Sequence, residues 1–439
     1  MSIHSNPVVR HAPLSAARNA GRYRLPLILR CANWLLEPAR SRLWPIDSAD
    51  LRRRAVDHTG LSAFDDLAPL DEPLEILCGS LNQEVDLSAL GRLLIRKQLI
   101  QFMCWRLWLS ELTARRPELF AEPIAAPLFV AGMPRSGTTF LHRTIARDPA
   151  WYSMPNWEAA NPFPVAGASR VSGPDPRVRA GARVQRLLRR AFPGVYELHD
   201  DGNDEPAEEG ILLAVGHAST NFGFGHFPTY TQWYTRTDHT GGYRLFQQFL
   251  QMMQANRSAG GRWLLKCPSH LEMLRPLLTV FNDAKVVLTH RDPISSIVSL
   301  AALDYFSFGS LIRRPNPHWF GRLSAEFMER ALRSMVQYRD SEDGIANHER
   351  FVDVAFAELV GDPIGAVRRI SLAAGHEPDG AAVAAMRAYA ERPGGHSSNN
   401  RFTLEDFGLD EMELRERFTF YYERFDVPLE HGKAAGARS

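Results

Sequence analysis

The eight residues from Gly132 to Thr139, GMPRSGTT, have the spacing of a phosphate-binding loop. They match the consensus G-x-x-x-x-G-K-[ST] except that Thr138 replaces the lysine. Main-chain N–H groups of such a loop, at the start of a helix, form a concave site for an anion. Since the missing lysine neutralises the outer phosphates of a nucleoside triphosphate, the sequence favours a ligand with less charge. Such a ligand is a single phosphate, or a phosphate linked to a neutralising group.

Two later segments carry further candidate anion-binding side chains. Lys266 ends the run RWLLK, and ligands of open α/β sheets bind at such strand ends. Arg291 follows the run KVVLTH, and Ser299 comes eight positions later on the predicted next helix. An arginine fork binds phosphate through two parallel hydrogen bonds. We therefore predict a second phosphate site at Arg291 and Ser299, separate from the one in the loop.

The elements that must position these residues alternate between strand and helix. Asp292 and Pro293 have the residue types of an N-cap and a first helical position. Ser269 and Glu272 have capping-box spacing and predict a helix after Lys266. Alternation of this length indicates an α/β protein with a central parallel sheet and helices on both faces. The predicted strands cover residues 128–131, 262–266 and 284–290.

The N-terminal part is predicted to be helical. Apolar residues recur at helical spacing from Asp86 to Leu112, which predicts a long helix covering one face of the core. Residues 25–36 are apolar but too short to span a bilayer, and two interpretations stay open: a helix packed on the core, or a helix on a membrane surface. We predict an N-terminal helical region, 1–120, packed on an α/β domain, 121–430.

Composition limits the partners and the compartment. The 439 residues include 51 Lys and Arg against 50 Asp and Glu, a net charge of +1, so no overall field favours nucleic acid and any anion site must be local. The four cysteines are far apart and do not form a disulfide framework or a zinc site. We expect a reducing, cytoplasmic location and no signal peptide.

Taken together, the three segments resemble the sulfotransferases that use 3′-phosphoadenosine 5′-phosphosulfate (PAPS). PRSGTT resembles their 5′-phosphosulfate loop, and RDPISSIVS resembles their 3′-phosphate motif, with Arg and Ser eight positions apart. LLKCPSHL resembles the intervening strand with its lysine. The loop is similar to that of a bacterial-type branch, G-[LM]-P-R-[ST]-G-T-T. The resemblance implies a P-loop-like, three-layer α/β fold and a PAPS-dependent sulfotransferase.

The resemblance also implies roles for the site residues. PAPS would be a co-substrate, transfer would need no metal, and Lys266 would stabilise charge on the bridging oxygen. Arg291 and Ser299 would bind the 3′-phosphate, and Arg401 would close over the nucleotide. The 5′-phosphosulfate would be held by Arg135, Ser136, Gly137, Thr138 and Thr139.

The general base has two candidates by the same resemblance. Glu158 follows the loop, where some branches place a catalytic glutamate. His270 lies four positions after Lys266, whereas the cytosolic small-molecule enzymes have a histidine two positions after the lysine. We take Glu158 as the first candidate. The acidic residues Glu208 and Glu209 are interpreted as the first turn of a helix, where negative charge is favoured.

An aromatic-rich segment bears on the identity of the acceptor. Residues 220–234 carry six aromatic side chains. They form a core or packed lid or, if they line the acceptor pocket, indicate an apolar acceptor such as a lipid or phenol. We expect a hydroxyl-bearing small molecule or lipid and no nucleic acid, with peripheral membrane contact and the oligomeric state left open. The alternatives are a P-loop kinase or other ATP-using enzyme, and a non-catalytic nucleotide-binding relative.

Overall fold

The computed structural model describes residues 25–164, 175–198, 202–219, 227–257, 260–392 and 402–430. Arg401, predicted to contact the nucleotide, lies outside the described residues, as do residues 220–226 of the aromatic segment.

A five-stranded parallel sheet forms the centre of the described structure. Its strands, in chain order, are β1 (Leu128–Gly132), β2 (Trp151–Tyr152), β3 (Arg262–Lys266), β4 (Lys285–His290) and β5 (Phe351–Ala355). The spatial order is β2-β3-β1-β4-β5. The inner strands are almost continuously apolar and buried, as expected when helices cover both faces of a parallel sheet. The predicted three-layer α/β fold is confirmed.

Helices cover the sheet on both faces and form the N-terminal part of the described chain. Before β1 they are α1 (Leu27–Leu36), α2 (Arg40–Leu43), α3 (Ser48–Thr59), α4 (Asp71–Gln83) and α5 (Ala89–Arg115). Between β1 and β3 they are α6 (Thr138–Ile145), α7 (Asn156–Ala159), α8 (Pro176–Ala191), α9 (Pro193–Leu198), α10 (Gly210–Val215), α11 (Pro228–Tyr234) and α12 (Thr240–Ala255). From β3 to β5 they are α13 (Leu274–Val280), α14 (Pro293–Ser307), α15 (Pro317–Arg339) and α16 (Glu342–Ala346). After β5 they are α17 (Phe356–Gly361), α18 (Pro363–Ala373), α19 (Gly380–Ala390), α20 (Glu411–Arg417) and α21 (Thr419–Phe425).

The sheet register brings the three predicted segments to one edge. Val130 of β1 is aligned with Lys266 of β3, and Gly132 of β1 is aligned with Thr289 of β4. Because β1 lies between β3 and β4, the loop after Gly132 has Lys266 on one side and Arg291 on the other. This is the carboxyl edge, where ligands of open α/β sheets bind.

The N-terminal helices share a core with the sheet. Helix α5 begins after Ser88, whose side chain accepts a hydrogen bond from the main-chain N–H of Gly91. Leu99 and Phe102 of α5 belong to the same buried apolar cluster as Phe129 of β1. The long helix predicted over residues 86–112 is therefore present, displaced by three residues at each end. The division of the chain at residue 120 stays a prediction.

The prediction of a single helix after Lys266 is wrong. The chain forms a short 3-10 helix, Pro268–Glu272, followed by α13. The capping-box side chains have other partners: Ser269 shares a hydrogen bond with Ser219 (Oγ···Oγ 2.7 Å), and Glu272 pairs with Arg330 of α15. Long-range contacts therefore override the local signal.

One segment among the described residues, Pro293–Leu311, is long and apolar enough to cross a membrane. It comprises α14 and the turn that follows, and half of its most apolar stretch is buried in the protein. Helix α14 packs against α15. Core helices of soluble proteins also reach this length and mean hydropathy.

Candidate functional site

The loop between β1 and α6 has the backbone of an anion-binding turn. Arg135 and Gly137 both adopt left-handed conformations, with φ of 70° and 89°. A Cβ on Gly137 would lie 2.6 Å from Cδ2 of Leu359, so conformation and space both require glycine there. Helix α6 starts immediately afterwards at Thr138, and the first N–H groups of a helix have no partner within it. The loop therefore presents main-chain donors at the sheet edge.

Ser136 fastens this loop to the sheet. Its fully buried hydroxyl donates to the carbonyl of Met133 (2.6 Å) and shares a hydrogen bond with Oγ1 of Thr289 on β4 (2.6 Å). A Cβ on Gly132 would lie 2.0 Å from the same Oγ1. The main-chain N–H of Ser136 also donates to the Met133 carbonyl (3.1 Å), so both the side chain and the main chain of Ser136 set the position of the loop.

Lys266 lies at the end of β3 with its ammonium beside the loop. Its Nζ is 3.2 Å from Oγ1 of Thr139 and forms an ion pair with Glu208. Its main-chain N–H donates to Oε2 of Glu209 (2.9 Å). Lys266 is buried while the Glu208 carboxylate is partly exposed, so the pair lies at the boundary between core and solvent.

His270 belongs to a fully buried network behind Lys266. Its Nε2 is hydrogen-bonded to Oε1 of Glu209 (2.6 Å), and its Nδ1 is hydrogen-bonded to the hydroxyl of Tyr243 (2.6 Å). His270, Glu209 and Tyr243 are all inaccessible to solvent. Since both ring nitrogens have protein partners, the histidine holds Glu209, which in turn holds the end of β3.

Arg291 lies at the junction of β4 and α14 and contacts the loop directly. Its Nη1 donates to the main-chain carbonyl of Arg135 (2.6 Å). Its Nε and Nη2 donate to the two carboxylate oxygens of Glu430 (2.7 and 2.8 Å). The hydroxyl of Ser295, on the first turn of α14, donates to the same carboxylate (2.9 Å). Ser299 lies one helical turn beyond Ser295 on the same face.

Asp292 orders this junction as the sequence predicted. Its side chain accepts from the main-chain N–H of Ile294 (3.0 Å), the N-cap bond of α14. It also accepts from the main-chain N–H of Glu430 (2.8 Å). The C-terminal segment is thus attached to the start of α14 through both its backbone and its carboxylate.

Electrostatics reflect the closeness of these groups. Burial lowers the pKa of Arg135, and the nearby charge of Arg291 lowers it further. Burial disfavours the ionised form of Glu430, but the hydrogen bond and the charge of Arg291, together with the hydrogen bond from Ser295, lower the pKa of this carboxyl overall. Two guanidinium groups near one loop form a local basic site in a chain of net charge +1.

Glu158 lies on α7 in a different set of contacts. Its carboxylate accepts a hydrogen bond from the hydroxyl of Tyr152 (2.5 Å) and lies 3.8 Å from Nη2 of Arg177. Burial raises the pKa of Glu158, although Tyr152 and Arg177 act in the opposite direction. The polar partners of Glu158 therefore differ from those of Lys266.

The structure brings most of the predicted anion-binding residues together at the carboxyl edge. Thr139 contacts Lys266, and Arg135 contacts Arg291. His270 lies behind Lys266 rather than at the surface of the site. In the aromatic segment, Phe227 and the tyrosines of α11 are core residues, as the first interpretation of that segment held. The base assignment to Glu158 or His270 stays a prediction.

Three glutamates of the site were missed by sequence reasoning. Glu208 and Glu209 were interpreted as the first turn of a helix, but α10 begins at Gly210 and their carboxylates contact β3 and its following turn. Glu430 was not considered. The sequence does carry a signal for Glu208 and Glu209, since these adjacent acids in EPAEEG come just before an apolar helix. They were interpreted from the sequence as a favourable helix start, so no contact with β3 was predicted.

Comparisons with known proteins show the family of the chain. A model of the sulfotransferase family matches residues 127–379, more than half of the chain. The crystal structure of sulfotransferase STF9 from Mycobacterium avium is similar, with 27% identity and a TM-score of 0.74, covering 87% of this chain and 97% of that one. Sulfotransferase STF1 from Mycobacterium tuberculosis H37Rv has 28% identity and a TM-score of 0.71, covering 85% and 98%. No curated protein sequence matches the chain. The chain belongs to the sulfotransferase family.

Proposed function

We propose that this protein transfers the sulfuryl group of PAPS to a hydroxyl of a small-molecule or lipid acceptor. The observation that carries the proposal is the meeting of three chain segments at one sheet edge. Lys266 Nζ lies 3.2 Å from Thr139 Oγ1 on one side of the loop. Arg291 Nη1 lies 2.6 Å from the Arg135 carbonyl on the other. Family membership and the loop without its lysine support the same donor.

The residues around Arg291 fit a phosphate. In the structure they already hold an oxyanion, because the Glu430 carboxylate receives two hydrogen bonds from Arg291 and one from Ser295. A 3′-phosphate offers the same acceptor oxygens with greater charge. We propose that it would take the place of the Glu430 carboxylate on Arg291 and Ser295, with Ser299 one turn further along α14.

The loop between β1 and α6 fits the other end of the nucleotide. Main-chain donors at the start of α6 and the Arg135 guanidinium would bind the 5′-phosphosulfate. PAPS supplies the sulfuryl group and a 5′-phosphate leaving group. Lys266, which points its ammonium at Thr139, would stabilise negative charge on the bridging oxygen as the S–O bond breaks. The loop itself is held in place before the reaction by the contacts of Ser136 and Arg291, and such preorganised donors would stabilise charge in the transition state.

For the general base, the structure adds Glu208 to the candidates Glu158 and His270. A base must reach the acceptor hydroxyl within hydrogen-bonding distance. The Glu208 carboxylate is partly exposed and contacts Lys266, whereas Glu158 and His270 are buried and hydrogen-bonded to other side chains. We propose that Glu208 accepts the acceptor proton when Lys266 turns toward the donor.

The acceptor is proposed only as a class, a hydroxyl-bearing small molecule or lipid. Phe227, Tyr230 and Tyr234 are buried in the core and Trp233 is half-buried against it, so the described part of the segment does not support an aromatic acceptor pocket. The acceptor class therefore rests on the family alone. The cytoplasmic location likewise stays a prediction.

Ligand binding followed by group transfer tests the proposal. 3′-Phosphoadenosine 5′-phosphate should raise the melting temperature more than Mg-ATP, and PAPS with a labelled sulfonate should give labelled products from cell extracts. Stabilisation by Mg-ATP alone would indicate an ATP-using enzyme. Binding of the bisphosphate without any transfer of label would indicate a non-catalytic relative.

A further inference from the structure

Helix α1 turns its apolar side away from the protein. Leu27, Ile28, Trp34 and Leu35 are 70%, 77%, 80% and 71% exposed, and Cys31 between them is exposed as well. These positions follow the spacing i, i+1, i+4, i+7 and i+8, so they form one continuous stripe along the helix. An amphipathic helix that packed on the core would bury this stripe.

The opposite side of α1 attaches it to the protein through polar contacts. Oδ1 of Asn33 accepts a hydrogen bond from the main-chain N–H of Leu90 at the start of α5 (2.7 Å). Just beyond α1, the Glu37 carboxylate accepts from the main-chain N–H of Ala89 (3.3 Å). The polar residue therefore faces the protein and the apolar stripe faces outward, the reverse of an ordinary surface helix.

The sequence on the N-terminal side of the stripe carries only positive charge. Residues 1–36 contain five arginines and no aspartate or glutamate, although the whole chain has a net charge of only +1. Arg30 on α1 and Arg42 on α2 are exposed. The first acidic residue, Glu37, forms ion pairs with Arg40 and Arg313, so its charge is neutralised locally.

These features together fit a lipid surface better than a protein partner. A helix of ten residues is about 15 Å long, too short to cross a bilayer but long enough to lie on one. A single stripe of this length offers less area than the roughly 800 Å² per partner of a stable protein interface. Exposed apolar and tryptophan side chains with flanking arginines are typical of helices at the interface of anionic membranes.

We propose that α1 binds the surface of an anionic lipid bilayer. Its exposed stripe would enter the boundary between headgroups and acyl chains, and Arg30 and Arg42 would contact lipid phosphates. The sequence left two interpretations open for residues 25–36, a helix packed on the core or a helix on a membrane surface. This proposal adopts the second. It does not depend on the sulfotransferase proposal, since α1 shares no residue with the site at the carboxyl edge.

Vesicle flotation of the full chain tests this proposal. We expect the chain to float with vesicles of phosphatidylcholine and phosphatidylglycerol, to bind phosphatidylcholine alone at least tenfold more weakly, and to lose binding in high salt. The double variant Ile28→Ser/Trp34→Ser should bind the anionic vesicles at least tenfold more weakly. Circular dichroism and the melting temperature establish that it folds.

A matched control removes exposed apolar side chains elsewhere. Val360→Ser/Leu372→Ser changes two side chains that are 66% and 53% exposed and lie after β5. This variant should bind the vesicles as the parent does. Equal binding by the α1 variant and the parent would overturn the proposal, as would absence of lipid binding. A parent that is dimeric by light scattering, with a monomeric α1 variant and no lipid binding, would assign the stripe to a second copy of the chain.

Discussion

The guanidinium of Arg291 donates a hydrogen bond to the main-chain carbonyl of Arg135 across neighbouring strand ends, with Nη1 and O 2.6 Å apart. The two residues are 156 positions apart in the chain and come from different strand–helix junctions. Their contact means that the loop after β1 and the start of α14 open onto the same part of the sheet edge. A nucleotide with anionic groups at both ends requires this arrangement.

Replacing Lys266 tests the assigned role of its ammonium. Lys266→Ala should lower turnover by about 10²–10³-fold, the usual effect of removing one group that stabilises developing charge. The affinity for 3′-phosphoadenosine 5′-phosphate should change by less than about tenfold, because the two phosphates would be held by other residues. Single-turnover kinetics and calorimetry measure the two effects. Lys285→Ala is the control, since Lys285 lies at the start of β4 and should leave both unchanged. A loss of affinity as large as the loss of turnover would contradict the role.

Arg291 should distinguish nucleotides by their 3′-phosphate. Arg291→Ala should weaken 3′-phosphoadenosine 5′-phosphate by about 10–100-fold, as expected for losing charged hydrogen bonds worth about 1.5–3 kcal/mol. Adenosine 5′-monophosphate should be weakened far less, since in the described structure Arg291 contacts the 5′ loop only through the Arg135 carbonyl. Arg424→Ala removes an exposed arginine paired with Asp340 and should alter neither ligand. Equal weakening of both nucleotides would place Arg291 outside the 3′-phosphate site.

Glu430 should act as a competitor for the same guanidinium. Glu430→Gln removes the charge but keeps the shape, so 3′-phosphoadenosine 5′-phosphate should bind about tenfold more tightly. Adenosine 5′-monophosphate should bind as before. The matched control is Glu423→Gln, an exposed glutamate on α21. Weaker binding of the bisphosphate by Glu430→Gln would show that the carboxylate supports the nucleotide rather than competing with it.

The buried Glu158 should make stability depend on pH. Burial raises the pKa of this carboxyl in the folded protein above its ordinary value of 4.5. Below pH 4.5 the carboxyl is protonated in both states and does not change the free energy of unfolding. As pH rises from there through the raised pKa, ionisation favours the unfolded state, so the free energy of unfolding falls. Glu158→Gln should raise the melting temperature near pH 7 and have little effect below pH 4.5. A difference between the two proteins that is constant with pH, or that shrinks as pH rises, would contradict this environment for Glu158.

Three variants decide between the candidate bases. Glu208→Gln should reduce turnover by at least about 10²-fold while the bisphosphate still binds. Glu158→Gln should retain most of the activity, and His270→Asn should mainly lower stability because it breaks the buried network with Glu209 and Tyr243. Steady-state kinetics, with calorimetry for binding, separates these effects. If Glu158→Gln abolishes turnover and Glu208→Gln does not, the assignment made from the sequence is right and the one made from the contacts is wrong.

The sequence predicted the parts of the fold that local patterns control. The strands at 128–131 and 262–266 are short apolar runs, and the glycine loop and Asp292 carry position-specific backbone signals. These signals act over a few residues, so one sequence is enough to read them.

The contacts that join distant segments could not be predicted in this way. Glu208 is 58 positions from Lys266, and Glu430 is 139 positions from Arg291. Each glutamate has an ordinary local environment in the sequence, and only the tertiary structure gives it a partner. Helix α1 shows the same limit, because its periodicity defines an apolar stripe but not whether the stripe faces the core or the outside.

The most direct test of the central claim is calorimetric binding of three nucleotides to the parent protein. We expect 3′-phosphoadenosine 5′-phosphate to bind without magnesium and at least tenfold more tightly than adenosine 5′-monophosphate or Mg-ATP. Such a result requires one site that recognises phosphates at both ends of the ligand, as we propose for the junctions at Arg135 and Arg291. Tighter binding of Mg-ATP, or equal binding of 3′-phosphoadenosine 5′-phosphate and adenosine 5′-monophosphate, would contradict a site for two separate phosphates.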